Sequence, residues 1–168
     1  MTELEQPQFT IVQVAAAAGI EANTLRSWFQ RGHFTLGDSD KRADFGDAHL
    51  LSLRTALQVG TAVEIYRSGA HPARAAKLAL AFTLVADVDQ TSGEIIRGAG
   101  ELFPGNGVYT ALIAYPGIDD AKVVRFDDKG PALSAAFHSN GYGRQNSAQI
   151  VWLNFVDRKI RIALLGIA

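Results

Sequence analysis

With 168 residues, 48% of them hydrophobic, the chain can build one good apolar core or two small ones. It has no cysteine, which excludes a disulfide framework, a thiolate metal site and cysteine-based sensing of metals or oxidants, and fits a cytoplasmic protein. Its formal net charge is −1; no membrane span is expected, because Asp87 and Asp89 interrupt the apolar stretch that follows Ala73, and the acidic MTELEQPQ start has no apolar centre and does not read as a secretory signal.

The most informative stretch is residues 9–34, FTIVQVAAAAGIEANTLRSWFQRGHF. Residues 12–18 read as a short alanine-rich helix, with Ala15 four residues before Gly19. A small side chain there lets a second helix approach closely, and Gly19 supplies a turn where positive φ is needed. Ile20 plugs the corner. Residues 21–24 open a second helix with acidic and capping types in its first turn. Leu25 and Trp28 fall on one face at i and i+3, while Asn23, Arg26, Ser27 and Gln30 occupy the other. Those four, with Thr24 and Arg31, are the candidate contacts to base edges and phosphates in a major groove.

The order and spacing of these residues resemble the N-terminal winged helix-turn-helix of the MerR family of transcription regulators. The resemblance is carried by Phe9-Thr10-Ile11, Val14-Ala15, Gly19-Ile20, Thr24-Leu25-Arg26, Trp28 and Arg31-Gly32, and it reaches about as far as Leu84. It implies a two-stranded wing over residues 35–45, in which Lys41 and Arg42 hold phosphates. Asp38, Asp40 and Asp44 surround that basic pair, and the competing reading is a solvated loop of mixed charge. A helix is expected to start at Asp47 and run to Ser68, with Gly69 as its stop. Its apolar positions wrap around more than one face, so it belongs in a core or a subunit contact. Pro72 suits the first turn of a further helix through Ala86.

Charge gives weaker support. Residues 1–86 hold eight Lys or Arg and eight Asp or Glu, whereas phosphate binding favours a basic excess. The basic residues are clustered, with Arg26, Arg31, Lys41 and Arg42 in the second helix and wing. Modest affinity per domain is expected, with a homodimer or adjacent sites raising occupancy.

Residues 87–107 are polar and glycine-punctuated and read as a linker or a short helix over 94–102, closed by the Pro104-Gly105-Asn106-Gly107 turn. Beyond it, β-type runs at 108–115, 121–126 and 149–167 alternate with a helical candidate at 132–138. The last run is expected to fold back as a hairpin at 156–160. The fold class is therefore α+β. A helical, MerR-like winged helix-turn-helix domain (1–86) precedes a small antiparallel α+β domain (108–168), a candidate for effector binding or dimerisation.

Two features of the second domain invite a chemical reading. The glycine-rich loop 139–146 could cradle an anion, but lacks the Lys-Ser/Thr ending of a phosphate loop. The pairs Asp119-Asp120 and Asp127-Asp128 flank a strand as turn residues do, without a third metal ligand. His33, His49, His71 and His138 show no ligand spacing. Neither metal nor cofactor is expected, nor an enzyme, since no Ser-His-Asp order, zinc signature or nucleotide fingerprint occurs.

The leading expectation is a DNA-binding transcriptional regulator acting on double-stranded DNA, with a small-molecule or protein effector at the C-terminal domain. Two alternatives stay open: a phage or mobile-element accessory protein of the excisionase or packaging type, and a protein-interaction module with a relic helix-turn-helix. No sustained heptad follows Ala86, which departs from the family's dimerising coiled coil.

Overall fold

The computed structural model describes residues 3–37, 40–42, 49–127, 138–139 and 143–167. A single 3-10 turn (Glu3–Glu5) leads into β1 (Pro7–Thr10), α1 (Ile11–Ala18) and α2 (Ala22–Gln30). Then follow β2 (Lys41–Arg42), β3 (His49–Ser52), α3 (Leu53–Arg67) and α4 (Pro72–Thr83). The second half comprises β4 (Asp87–Val88), β5 (Ile95–Arg97), β6 (Tyr109–Ala114), β7 (Ala121–Phe126), β8 (His138–Ser139), β9 (Gly143–Arg144), β10 (Gln149–Trp152) and α5 (Leu153–Leu165).

α3 is the central element. It buries most of its residues, from Leu53 to Ile65, and packs against α4, α1 and α5. The expectation that this helix is apolar on nearly all sides because it lies inside a core holds. Its start does not lie at Asp47, which falls outside the described residues. Residues 49–52 are strand, pairing antiparallel with β1 through Phe9↔Leu51 and Thr10↔Leu50. The helix begins only where the Ser52 hydroxyl accepts from the Thr55 N–H at 3.2 Å. A Ser-x-x-Thr cap in extended backbone sets this boundary, overriding the helical pattern of the leucines. Pro7 sits in edge strand β1, where its missing N–H costs no ladder bond.

The second half departs further from expectation. Residues 87–97 form a hairpin, not a linker or helix, turned by Asp89, whose carboxylate accepts from the Thr91 and Ser92 N–H groups at 2.8 Å each. Those bonds, Ser92 foremost, hold the Asp89 carboxyl below its ordinary pKa. β6 is the middle strand of a β10-β6-β7 sheet, antiparallel on both sides. The expected strands at 108–115 and 121–126 are present within a residue of their bounds. The expected helix at 132–138 lies outside the described residues except for His138, which is strand. The terminal hairpin is not formed. After four strand residues the chain turns into α5, in which Leu153, Val156, Asp157 and Ile160 are buried. Their i, i+3, i+4, i+7 spacing is helical, and the burial of that stripe against α1, α3 and β6 decides against the β propensity of Val156 and Ile160.

One hydrophobic core contains side chains from Leu4 through Ile160, so α5 shares it with the N-terminal helices. Gly60 permits that contact. A Cβ there would lie 2.9 Å from Ile160 Cγ1 and 3.2 Å from Val156 Cγ1. Gly60→Ala gains roughly 1 kcal/mol in helix propensity but overpacks a site lined by the fully buried Ile160, at roughly 1–3 kcal/mol. A net loss of about 1 kcal/mol is expected in urea unfolding. In an Ile160→Ala background the same substitution should be neutral or stabilising. Additive effects of the two changes would show that α3 and α5 are not in close contact.

Candidate nucleic-acid interface

The helix-turn-helix is built by local chemistry. Thr10 and Gln13 cap α1 reciprocally: the Gln13 N–H donates to Thr10 Oγ1 at 3.3 Å, and the Thr10 N–H to Gln13 Oε1 at 2.8 Å. Gly19 ends the helix with φ 78°, its N–H reaching Ala15 O at 2.9 Å, and the Ile20 N–H bonds the same carbonyl at 3.0 Å. Ala15 is buried at the corner, as its small size suggested.

Across the turn, α2 starts from extended Glu21 without a side-chain cap. Leu25 and Trp28 are buried. The Trp28 ring stacks on Phe34 at 6.1 Å between centroids and meets Tyr66 of α3 edge-on at 5.1 Å. That anchors α2 by one face and turns the other outward. Asn23, Arg26, Gln30 and Arg31 are exposed, while Thr24 and Ser27 are half-buried at its margins. Arg26 Nη1 donates to Asn23 Oδ1 at 2.8 Å, so these two side chains are already aligned with each other on the exposed face.

Lys41 and Arg42 form β2, which pairs antiparallel with β3 through Lys41↔Leu50 and Arg42↔His49. They thus sit on the outer strand of the β1-β3-β2 sheet. Asp38 and Asp44, which would have diluted the charge of this pair, lie outside the described residues. Asp40 has a structural task that the sequence reading missed. Its carboxylate accepts from the Gly37 N–H at 2.8 Å, the Ser52 N–H at 2.7 Å and the Thr55 hydroxyl at 2.7 Å. It staples the loop after α2 to the start of α3, which is favourable for an anion at a helix N-terminus. The preceding Gly-Asp-Ser-Asp cluster advertised a turn, and only the tertiary fold shows which acid turns inward.

The turn itself is held from afar. Arg67 Nη2 donates to Gly19 O at 2.7 Å and Lys159 Nζ to Ala18 O at 3.0 Å. Both cations meet the carbonyl end of α1, where the helix dipole favours them. Glu64 ties them together, accepting from Arg67 at 2.8 Å and lying 3.4 Å from Lys159. Lys159 belongs to α5, so the C-terminal helix reaches the turn between α1 and α2 directly.

One acid of each pair meets neighbouring bases. Asp119 pairs with Lys77 at 3.2 Å and Arg74 at 3.5 Å, and Asp127 with Arg125 at 2.6 Å. Among the described residues no group of three or more His, Asp or Glu is placed to hold a metal ion, and no helix is long and apolar enough to cross a membrane.

No curated protein and no solved structure matches the chain. Residues 9–58, from β1 into α3, match the model of the MerR HTH family regulatory proteins. The match stops short of α4, to which the resemblance read from the sequence extends. The N-terminal part of this α+β chain therefore carries a MerR-type helix-turn-helix.

Proposed function

We propose that the protein is a DNA-binding transcriptional regulator that lays α2 in the major groove. Asn23, Thr24, Arg26, Ser27, Gln30 and Arg31 face the bases and adjoining phosphates, and Lys41 and Arg42 of the outer strand act as a wing on the flanking backbone. The observation that carries this reading is the division of α2, whose Leu25 and Trp28 are buried while Asn23, Arg26, Gln30 and Arg31 are exposed. A homodimer on adjoining half-sites belongs to the proposal, because the near-neutral N-terminal segment gives one copy little non-specific hold on phosphate. So do a cytoplasmic location and an effector-binding or dimerising role for residues 108–168. α3 is consumed by its own protomer's core, so the subunit contact is assigned to other surfaces.

Arg26→Ala tests this. The side chain is exposed and bonds only Asn23 among the described residues, so the fold should survive unchanged by circular dichroism. Binding to the cognate DNA should weaken by about 1–3 kcal/mol, roughly 5- to 150-fold, and discrimination at one base position should relax. A folded variant that binds as the parent does would sink the assignment of α2 as the reading helix.

A further inference from the structure

A cavity of about 520 Å³ lies between the 32–37 loop, α3 and α4. That size falls in the range of small-molecule sites. Leu36, Leu80 and Leu84 give it apolar walls, Lys77 and His33 contribute polar groups, and Gln58 of α3 also lines it. Gln58 is 8% exposed. Its Nε2 donates to Ala76 O at 3.3 Å, which leaves Oε1 an acceptor without a protein partner among the described residues. Among the described residues the fully buried unpartnered side-chain atom is Thr61 Oγ1, so Gln58 Oε1 keeps solvent access, and a ligand donor there would take the place of water. Arg54, also in the lining, is already engaged by Glu5, Thr83 O and Ala99 O. The loop that closes this cavity is the one Asp40 staples through Gly37 N–H, and the same carboxylate holds Thr55, itself a lining residue.

We propose that this cavity binds a small amphipathic molecule with an apolar body and an N–H or O–H donor that meets Gln58 Oε1. Occupancy sets the position of the 32–37 loop, which joins the end of α2 to the outer strand bearing Lys41 and Arg42. In this second respect the inference rests on the DNA-binding reading above. Ligand contacts to the loop on one side and to α3 and α4 on the other favour one spacing between reading helix and wing. By linkage, DNA that prefers that spacing tightens the ligand, and DNA that opposes it weakens the ligand.

Anilinonaphthalene sulfonate, an aromatic anion with one N–H, serves as the probe, titrated by fluorescence against the full chain. Saturable binding to one site is expected. It should weaken about tenfold or more in Leu80→Trp, which fills the cavity. In the near-isosteric Gln58→Leu it should weaken at least about threefold, the worth of one hydrogen bond. Phe155→Ser, which alters the exposed hollow beside Trp152 and α5, should leave it unchanged. Absence of binding, equal binding by both cavity variants, or loss confined to Phe155→Ser would overturn the site, and Gln58→Leu decides if Leu80→Trp does not fold. With the probe saturating, affinity for the cognate DNA should shift at least about threefold. An unshifted affinity would refute the coupling alone. A protein that binds no DNA without the probe would refute the DNA-binding reading, with the probe titration still deciding the cavity.

Discussion

Trp28→Ala should cost about 3–5 kcal/mol of unfolding free energy, the upper range for truncating a buried aromatic. The ring is 4% exposed and joins three segments: α2 itself, Phe34 beyond its end and Tyr66 of α3. Removing it deletes the apolar contact that holds α2 against the core, and leaves a void that the flanking rings fill only in part. For a chain of this size the melting temperature should fall by about 10 °C. Trp28→Phe, which keeps one ring, should lose less than half as much. The effect on DNA binding is the informative companion. Below its transition the variant should bind more weakly than the parent, since α2 is no longer oriented, whereas Arg26→Ala weakens binding at full stability. A Trp28→Ala protein within about 1 kcal/mol of the parent would place the ring at the surface and reverse the assignment of faces on α2.

Arg97→Met should be comparably damaging, at about 3–5 kcal/mol, because it takes the shared donor from several acceptors at once. The guanidinium is fully buried and spends its donors on five acceptors. Nε meets Asp87 Oδ2 at 2.5 Å, and Nη2 meets Val85 O at 2.6 Å. Nη1 is shared among Phe82 O, Gly98 O and Glu101 O at 3.1–3.2 Å. The Phe82 and Phe103 rings lie 5.8 and 5.7 Å from the guanidinium carbon. Methionine matches the volume and none of the hydrogen bonds, so four carbonyls and a carboxylate lose their donor together. Arg97→Lys should recover little, because an ammonium cannot reproduce the planar fork. Asp87→Asn should cost much less, since Asp87 is about a third exposed and Arg97 keeps its four carbonyls. Denaturant unfolding of the three variants gives the order. Equal losses for Arg97→Met and Asp87→Asn would mean that the carbonyl bonds contribute nothing.

These two residues also show what could be read from the sequence and what could not. The helix-turn-helix was legible because its determinants are local: a glycine that must take positive φ, and a buried i, i+3 pair at Leu25 and Trp28; the Thr10–Gln13 cap, equally local, emerged only with the fold. The exposed face of α2 followed from the same periodicity, apart from Thr24 and Ser27, which are half-buried. Arg97 was not legible. A lone arginine in a polar, glycine-punctuated stretch looks solvated, and its acceptors come from the end of α4 and from loop carbonyls that have no side-chain signature. Residues 149–167 misled for a related reason. Val156 and Ile160 favour strands, yet their four-residue spacing matches a helix, and Gly60, almost a hundred positions away in sequence, opens the groove that selects it. Lys159 and Asp40 likewise gained their roles from long-range contacts. Among the described residues of 9–58, sequence pattern and fold part at His49–Ser52, where pairing with β1 outweighed a run of leucines.

The central claim is that the exposed face of α2 reads DNA, and equilibrium binding tests it most directly. Fluorescence anisotropy would follow the purified chain on DNA from upstream of its own gene, at two salt concentrations, with random-sequence DNA as competitor. The account predicts binding that resists the competitor and weakens steeply between the two salts, as release of phosphate counterions requires. Equal affinity for both DNAs would contradict sequence-specific regulation, and no binding even at low salt would contradict DNA recognition by this helix altogether.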